Sequence, residues 1–280
     1  MTDLLLQSLI DIALAEDMAF HDLTAKATIA QDQLGRATII AKENGALSGC
    51  TVAKQVFETM DEGISQTWHK HDADKVQAGD LICELSGNMR MLLSAERTAL
   101  NFMQHLSGIA SATSLFVIAL DETGCDIVDT RKTTPGLRVL EKQAVLDGGG
   151  KNHRLDLASG MLIKENHILA AGSMTDAITA CQMLSPDTWI EVECETLDEV
   201  IEAVHACPDI ILLDNMSPEI VSQARKLVPS SILLEASGNI TLDNARAYAE
   251  TGINRIAVGA ITHSAPSLDL SMRVASSDKD

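Results

Sequence analysis

Seven basic side chains, Arg131, Lys132, Arg138, Lys142, Lys151, Arg154 and Lys164, crowd one short stretch of a 280-residue chain that has 21 Lys+Arg and a formal net charge of -19. Only Glu141, Asp147 and Asp156 oppose them there. A local positive field set in a repelling acidic surface suits a small, highly charged anion better than a polymer. The cations come in dense runs: Asp129-Thr-Arg-Lys-Thr-Thr-Pro-Gly136, Gly148-Gly-Gly-Lys-Asn-His-Arg154 and Ile163-Lys-Glu-Asn-His167. Further along stand two carboxylates, Glu193 and Asp214, and two runs of small residues, Ser237-Gly-Asn239 and Gly259-Ala-Ile-Thr262.

The elements that must position these groups follow from periodicity. From Asp126 onward, apolar runs alternate with helical segments. The runs are 127–130, 161–164, 189–194, 210–214, 232–236 and 255–259; helices are expected over 135–147, 174–184, 197–206, 218–227 and 242–250. Such alternation predicts parallel βα units. With six units, a closed or nearly closed α/β barrel is expected, with an open doubly wound sheet as the other arrangement. Arg131 and Lys132, Lys164, Glu193, Asp214, Ser237-Gly238 and Gly259 then all sit at or just past a strand's C-terminal end, the face that carries active sites in such barrels.

Each group also has a plainer reading. Glu193 and Asp214 end consecutive strands and can face a shared Mg²⁺ or ribose hydroxyls, and equally suit a helix N-cap or a lysine partner. Glu191 and Glu195 share the alternation parity of Glu193, so the pattern does not choose among the three. The small residues after the last two strands let backbone N–H groups approach a phosphate, although Ser-Gly is also a common turn. His153 and His167 can serve as general bases or as structural hydrogen-bonding groups. Ser, His and Asp are present without a Gly-x-Ser-x-Gly elbow, which leaves a hydrolase triad unsupported.

Before Asp126 the pattern differs. Residues 4–16 place Leu5, Leu6, Leu9, Ile12 and Ala13 at helical spacing. Short β-like runs between Ala37 and Gly87 predict a small sheet, with 79–87 read as a plain hairpin, since it lacks the apical Lys of a biotinyl or lipoyl module. Residues 92–120 read as helix, interrupted near Ser107-Gly108. With 46% hydrophobic residues the chain can build a sizeable core as one large or two smaller domains. Its acidity and its few aromatics, two Trp, one Tyr and four Phe, disfavour nucleic-acid binding. No run is expected to approach the roughly 18 apolar residues of a membrane span; with no basic segment before Lys26, a cytosolic location is expected. The six cysteines show no C-x-x-C pair and no zinc-ligand spacing, and read as reduced, mostly buried small hydrophobes.

Taken together, Glu96-Arg-Thr-Ala-Leu-Asn-Phe102, Leu106-Ser-Gly-Ile-Ala110, the three cation runs and Val258-Gly-Ala-Ile-Thr-His-Ser264 resemble the quinolinate phosphoribosyltransferases, the carboxylating nicotinate-nucleotide pyrophosphorylases. Glu16-Asp17 and Asp22-Leu-Thr24 extend the resemblance to the N-terminal helix. It implies an N-terminal α/β sandwich domain over 1–107, an incomplete TIM-like α/β barrel over 108–265, and a segment 266–280 that returns to the first domain. The implied reaction joins quinolinate to phosphoribosyl pyrophosphate with loss of CO₂, giving nicotinate mononucleotide and pyrophosphate in NAD biosynthesis. Arg131, His153, Arg154 and Lys164 match residues that hold quinolinate, with Arg97 reaching in from the partner of a homodimer, or of a higher oligomer such as a hexamer. Lys132, Glu193, Asp214, Ser237, Gly238 and Gly259 match those around phosphoribosyl pyrophosphate and its Mg²⁺; Lys132, Glu193 and Asp214 carry the catalytic role, the two acids as metal ligands.

Two features qualify the resemblance. His21 stands where the family often has Gly, and the chain lacks the paired-acid loop of the larger phosphoribosyltransferase fold, as the quinolinate family does. The competing readings are a paralogous protein associated with molybdenum transport and a non-catalytic sensor of phosphorylated metabolites. The intact Thr133-Thr-Pro-Gly136 and Lys164-Glu-Asn-His167 runs favour quinolinate over the first, and the two acids argue against the second.

Overall fold

A computed structural model describes residues 3–274. The chain runs α1 (Asp3–Glu16), α2 (Leu23–Thr28), β1 (Leu34–Ala41), β2 (Gly45–Ala46), α3 (Cys50–Met60), β3 (Ser65–Trp68), β4 (Lys75–Val76), β5 (Leu81–Asn88) and α4 (Met89–Ala119). It continues through β6 (Asp126–Val128), α5 (Arg138–Asp147), β7 (Met161–Ile163), α6 (Glu165–Ala171), α7 (Met174–Leu184), β8 (Ile190–Cys194), α8 (Leu197–Ala206) and β9 (Ile210–Asp214). The last elements are α9 (Pro218–Leu227), β10 (Leu233–Ser237), α10 (Leu242–Ala249), β11 (Arg255–Ala257), α11 (Ala260–His263) and β12 (Leu270–Val274). Two compact units form. Of the described residues, one holds 3–114, Thr134–Gly149 and 264–274; the other holds Leu115–Thr133 and Gly150–His263.

In the first unit β12-β1-β5-β3 make a four-stranded antiparallel sheet. Alternate residues Ala37, Ile39 and Ala41 of β1 are buried, as period two requires of a half-covered sheet. Helix α3 buries Val52, Ala53, Val56, Phe57 and Met60 at helical spacing, and full burial of Phe57 contributes on the order of 2–3 kcal/mol. The chain end supplies β12, and residues 275–280 lie outside the described ones. Ala19–His21 form a short 3-10 turn, after which Asp22 caps α2 by accepting the Ala25 N–H at 2.9 Å. His21 has no positive φ, so the turn does not need glycine there.

Four local expectations are corrected. Residues 79–87 are not a hairpin: 81–88 form the single strand β5, which lies between β1 and β3. A helix, α3, stands inside the stretch read as all β. Helix α1 buries Ile10 and Leu14 and leaves Leu5 and Ile12 exposed, because its packed face follows Leu6, Ile10 and Leu14 instead. Helix α4 is not interrupted at Ser107-Gly108. Ser107 is buried, with its Oγ accepting the Ser48 N–H and donating to the Ser48 carbonyl, both at 3.0 Å, while a Cβ on Gly108 would stand 2.2 Å from the Pro266 carbonyl oxygen. The two small residues are there for close approach and not to break the helix.

Helix α4 is also long and apolar enough, by length and composition alone, to cross a membrane, which corrects the expectation that no segment would be. Here it is a core helix: Leu92, Ala95, Ala99, Leu100, Met103, Leu106, Ile109 and Ala110 are buried. No disulfide links the six cysteines, and Cys50, Cys83, Cys125 and Cys194 are buried. Burial pushes the thiols of Cys83, Cys125 and Cys194 up to about 12, so they pack as apolar groups.

The second unit is built on a six-stranded parallel sheet in the order β6-β11-β10-β9-β8-β7. The first strand pairs with the last, and none of the described pairings joins β6 to β7, so the barrel is incomplete and its gap falls in the stretch of chain that carries the cation runs. Val192, Cys194, Ile211, Leu213, Leu234, Ala236 and Ile256 are buried on one face, and the opposite parity carries the polar residues. Reciprocal caps end the turns between strands and helices. Glu199 N donates to Thr196 Oγ1 at 3.2 Å and Thr196 N to Glu199 Oε2 at 3.1 Å, fixing where α8 leaves β8.

Candidate active site

A cavity of about 510 Å³ opens at the C-terminal ends of the parallel strands. Arg131, Lys132, His153, Arg154 and Lys164 line it, as do Glu193, Asp214, Ser237 and Gly238, so each of the six parallel strands contributes at or near its C-terminal end, β11 through Ala257, while the last connection, after β11, adds none of the lining. Gly259, in that last connection, lies beside Lys132, whose Cδ would be 3.1 Å from an added Cβ. The other cations of the cluster go elsewhere: Arg138 and Lys142 lie on α5, and Lys151 Nζ pairs with Asp126 at 2.7 Å.

The cationic wall is held by backbone bonds. Lys132 N donates to Thr130 Oγ1 at 3.0 Å, and Thr262 Oγ1 donates to the Lys132 carbonyl at 2.8 Å, so the residues after β6 and β11 are tied together. Arg154 Nη1 donates to the Gly160 carbonyl at 2.9 Å. Burial, and next the Arg131 guanidinium, lower the Arg154 pKa from its ordinary value, with Glu191 opposing. Two guanidiniums facing one cavity repel each other until an anion arrives. Arg131 Nε is buried and has no hydrogen-bond partner among the described residues, which marks it as a donor that an anion in the cavity can use.

Opposite, Glu193 Oε2 accepts the Lys164 ammonium and Asp214 Oδ2 accepts Asn215 Nδ2 at 2.7 Å. Asp214 is not the cap of α9, a position that Ser217 holds. The parity question among the glutamates resolves by layer: Glu193 faces the cavity, Glu191 lies fully buried below it, and Glu195 belongs to the exposed turn, its N–H donating to Glu199 Oε2 at 2.6 Å. The turn after β10 needs its glycine. Gly238 has φ +94°, and a Cβ there would come within 2.2 Å of Asn215 Oδ1, which accepts Asn239 Nδ2 at 3.1 Å.

Neither histidine is poised as a base. His167 Nδ1 accepts the Lys164 N–H at 3.0 Å and so helps start α6. His153 Nδ1 accepts the Arg154 N–H at 2.7 Å, and its Nε2 faces Glu191 Oε2 at 2.7 Å. A nitrogen that accepts an amide carries no proton, so the ring proton is on Nε2 and donated to Glu191.

Sequence reading missed the residues beneath the cavity. Glu191 and Glu235 are both fully buried, and Arg255 pairs with each, 3.5 Å from Glu191 and in contact with Glu235. Burial, then the Glu191 carboxylate, push the Glu235 pKa well above its ordinary value. His153, Glu191 and Glu235 bring ligand-type atoms within 4.8 Å of one another, and Arg255 forms ion pairs with both carboxylates. Arg255 and Glu235 are register partners on β11 and β10, and shared inward parity was the available signal. Glu141 was also missed: its Oε1 accepts His105 Nε2 at 2.8 Å and its Oε2 the Thr134 N–H at 3.1 Å.

Arg97 is not brought to this cavity. It lines a separate one of about 330 Å³ in the first unit, with Glu16, Asp17, Thr98, Asn101 and His105.

Comparison with known proteins is consistent along the whole chain. The N-terminal-domain model of the family described as quinolinate phosphoribosyl transferase matches residues 22–107, and its C-terminal-domain model matches residues 109–273. A probable nicotinate-nucleotide pyrophosphorylase (carboxylating) of Bacillus subtilis is 44% identical over 280 residues, covering 100% of this chain and 96% of that protein. A nicotinate-nucleotide pyrophosphorylase (carboxylating) of Mycobacterium leprae is 39% identical over 93% of this chain and 94% of its own length. The solved structure of the nicotinate-nucleotide pyrophosphorylase from Francisella tularensis superposes with a TM-score of 0.95 at 41% identity, over 98% of each chain. With both domain models matched in order, and the cation runs gathered on one cavity of the barrel those models span, the chain belongs to the quinolinate phosphoribosyltransferase family.

Proposed function

We propose that this chain joins quinolinate to phosphoribosyl pyrophosphate with loss of CO₂, forming nicotinate mononucleotide and pyrophosphate. The observation that carries this reading is a cavity wall of Arg131, Arg154 and Lys164 in which one buried guanidinium nitrogen has no partner among the described residues. Two adjacent ring carboxylates suit such a wall, because guanidinium forks accept planar carboxylates through paired hydrogen bonds. Lys132 and the backbone around Ser237, Gly238 and Gly259 take the phosphates of the second substrate. Lys164 and Glu193 form an ion pair; in this reading Lys164 would serve a quinolinate carboxylate, and Glu193 would be one of the residues that hold the metal ion.

Glu193 and Asp214 fit Mg²⁺: both offer hard oxygen donors at adjacent strand ends in a cavity with room for water and phosphate oxygens. Held by these two residues, Mg²⁺ would supply positive charge to offset that of the pyrophosphate. The protein's own contribution is positioning and electrostatics. Its cations hold the ring nitrogen of quinolinate toward the ribose carbon, and Lys132 stabilises the negative charge that develops as pyrophosphate leaves. Once ribosylated, the ring nitrogen is cationic and stabilises the carbanion left when the 2-carboxylate departs as CO₂; that carbon then takes a proton from water, and no protein nucleophile is required.

A homodimer completes the site in this reading, with the partner subunit's copy of Arg97 entering the cavity; a hexamer is the higher assembly it allows. A cytosolic location accords with the role.

The test is substrate dependence. Purified protein releases labelled CO₂ from quinolinate only when phosphoribosyl pyrophosphate and Mg²⁺ are both present, with nicotinate mononucleotide forming at the same rate. Nicotinate is a very poor substrate, since it lacks the 2-carboxylate and leaves buried cations unpaired. Efficient mononucleotide formation from nicotinate without CO₂ would move the chain to a non-decarboxylating role.

A further inference from the structure

The buried cluster under the cavity has no part in the chemistry above, yet it is bonded to the cavity wall through His153. Arg255 Nη2 lies 3.5 Å from Glu191 Oε1, and the other oxygen of Glu191 lies 2.7 Å from His153 Nε2. His153 Nδ1 accepts the Arg154 N–H at 2.7 Å, and the His153 N–H donates to the buried carboxylate of Asp129 at 2.8 Å. The ring packs edge to face against Trp189, centroids 5.5 Å apart. Both imidazole nitrogens are therefore engaged within the protein, and the side chain is only 7% exposed.

The tautomer is the hinge of this arrangement. A neutral imidazole has one N–H and one lone pair, so whichever nitrogen is protonated decides what the other can do. A carboxylate only accepts, and with Arg255 beside it Glu191 stays available as an acceptor for Nε2–H. That leaves Nδ1 bare for the Arg154 amide. With the opposite tautomer, Nε2 would point a lone pair at Glu191 and Nδ1–H would oppose the Arg154 N–H, breaking both bonds. We propose that Glu191, held by Arg255, is a positioning residue: it fixes the Nε2–H tautomer of His153, which in turn anchors the Arg154 backbone so that its guanidinium faces the cavity. His153 then acts as a strut whose ring nitrogens bond within the protein, which departs from the quinolinate-holding place that the resemblance gives it. Glu235, the other acid on Arg255, holds the guanidinium from the β10 side.

The inference rests on assigning Arg154 to the dicarboxylate site, and two experiments separate it from that assignment. In nitrogen NMR of histidine-labelled wild-type protein, the resonances lost in His153→Gln are expected to show a protonated Nε2 and an unprotonated Nδ1, unchanged when quinolinate is added. This readout needs no turnover and no variant of Glu191. A protonated Nδ1, or a shift to the imidazolium on adding quinolinate, overturns the proposal. Kinetically, Glu191→Gln can present its amide nitrogen to His153 and favour the wrong tautomer, so KM for quinolinate should rise roughly tenfold, the usual scale for losing one charge-assisted hydrogen bond, with KM for phosphoribosyl pyrophosphate little changed. A folded Glu191→Gln enzyme with wild-type KM for quinolinate also overturns it, as does an equal rise in both KM values, the mark of general loosening. If the activity assay fails for every variant and for wild type, the fault lies in the functional assignment, and the tautomer measurement still decides this one.

Discussion

Removing Arg131 tests the cationic wall most directly. Its Nε is buried without a hydrogen-bond partner among the described residues and its guanidinium repels that of Arg154, so the side chain is held at a cost. An unsatisfied buried donor costs about 1–3 kcal/mol, which Arg131→Ala would recover in part. Binding moves the opposite way: loss of a charge-assisted, forked contact to a carboxylate should weaken quinolinate by roughly 2–4 kcal/mol, or about 30- to 1,000-fold in Kd. Arg131→Lys keeps the charge and loses the fork, and should fall between. Calorimetric titration with quinolinate gives Kd, and urea unfolding gives stability. Weaker binding with equal or greater stability is the expected signature, since a surface charge would change neither and a folding defect would lower both. Wild-type affinity in Arg131→Ala, or a loss of stability that accounts for the binding loss, refutes the reasoning.

Three further outcomes are expected. Mixing inactive Arg97→Ala with inactive Lys164→Ala protein should restore activity, because a mixed dimer assembles one site with both wild-type residues; no gain, once mass spectrometry has shown subunit exchange, rules out a shared site. Gly238→Ala should weaken phosphoribosyl pyrophosphate far more than quinolinate, since the left-handed backbone alone costs about 1–2 kcal/mol and the new Cβ displaces Asn215, and equal titration curves for the two proteins would contradict this. Asp22→Ala should lose about 1 kcal/mol from the α2 cap. The Ala25 N–H holds the Asp22 pKa below its ordinary value, so the stabilisation is fully present above the ordinary carboxyl pKa and fades as pH falls through the lowered one. Asp22→Asn should keep most of the cap and flatten that acid-side slope, and an unchanged slope in urea unfolding would show that the titrating group is another.

By itself the chain determined the elements of the barrel and the rim its polar residues occupy. Strand and helix periods are local properties, written within a few residues, so α7, α8, α9 and β9 begin and end where their apolar spacing and flanking turn residues place them. For the same reason Arg131, Lys164, Glu193, Asp214 and Ser237 could be assigned to strand ends from their positions alone. Only the tertiary structure decided what lies across from what. Glu191 and Glu193 have the same parity, and it is the barrel wall that puts one under Arg255 and the other beside Lys164. Ser107-Gly108 looks like a break until Ser48 and Pro266 close on it, and Arg97 joins Glu16 and Asp17 in a cavity of its own. Sequence spacing carries no record of such pairings, because side chains far apart along the chain meet only when strand register and helix packing bring them together.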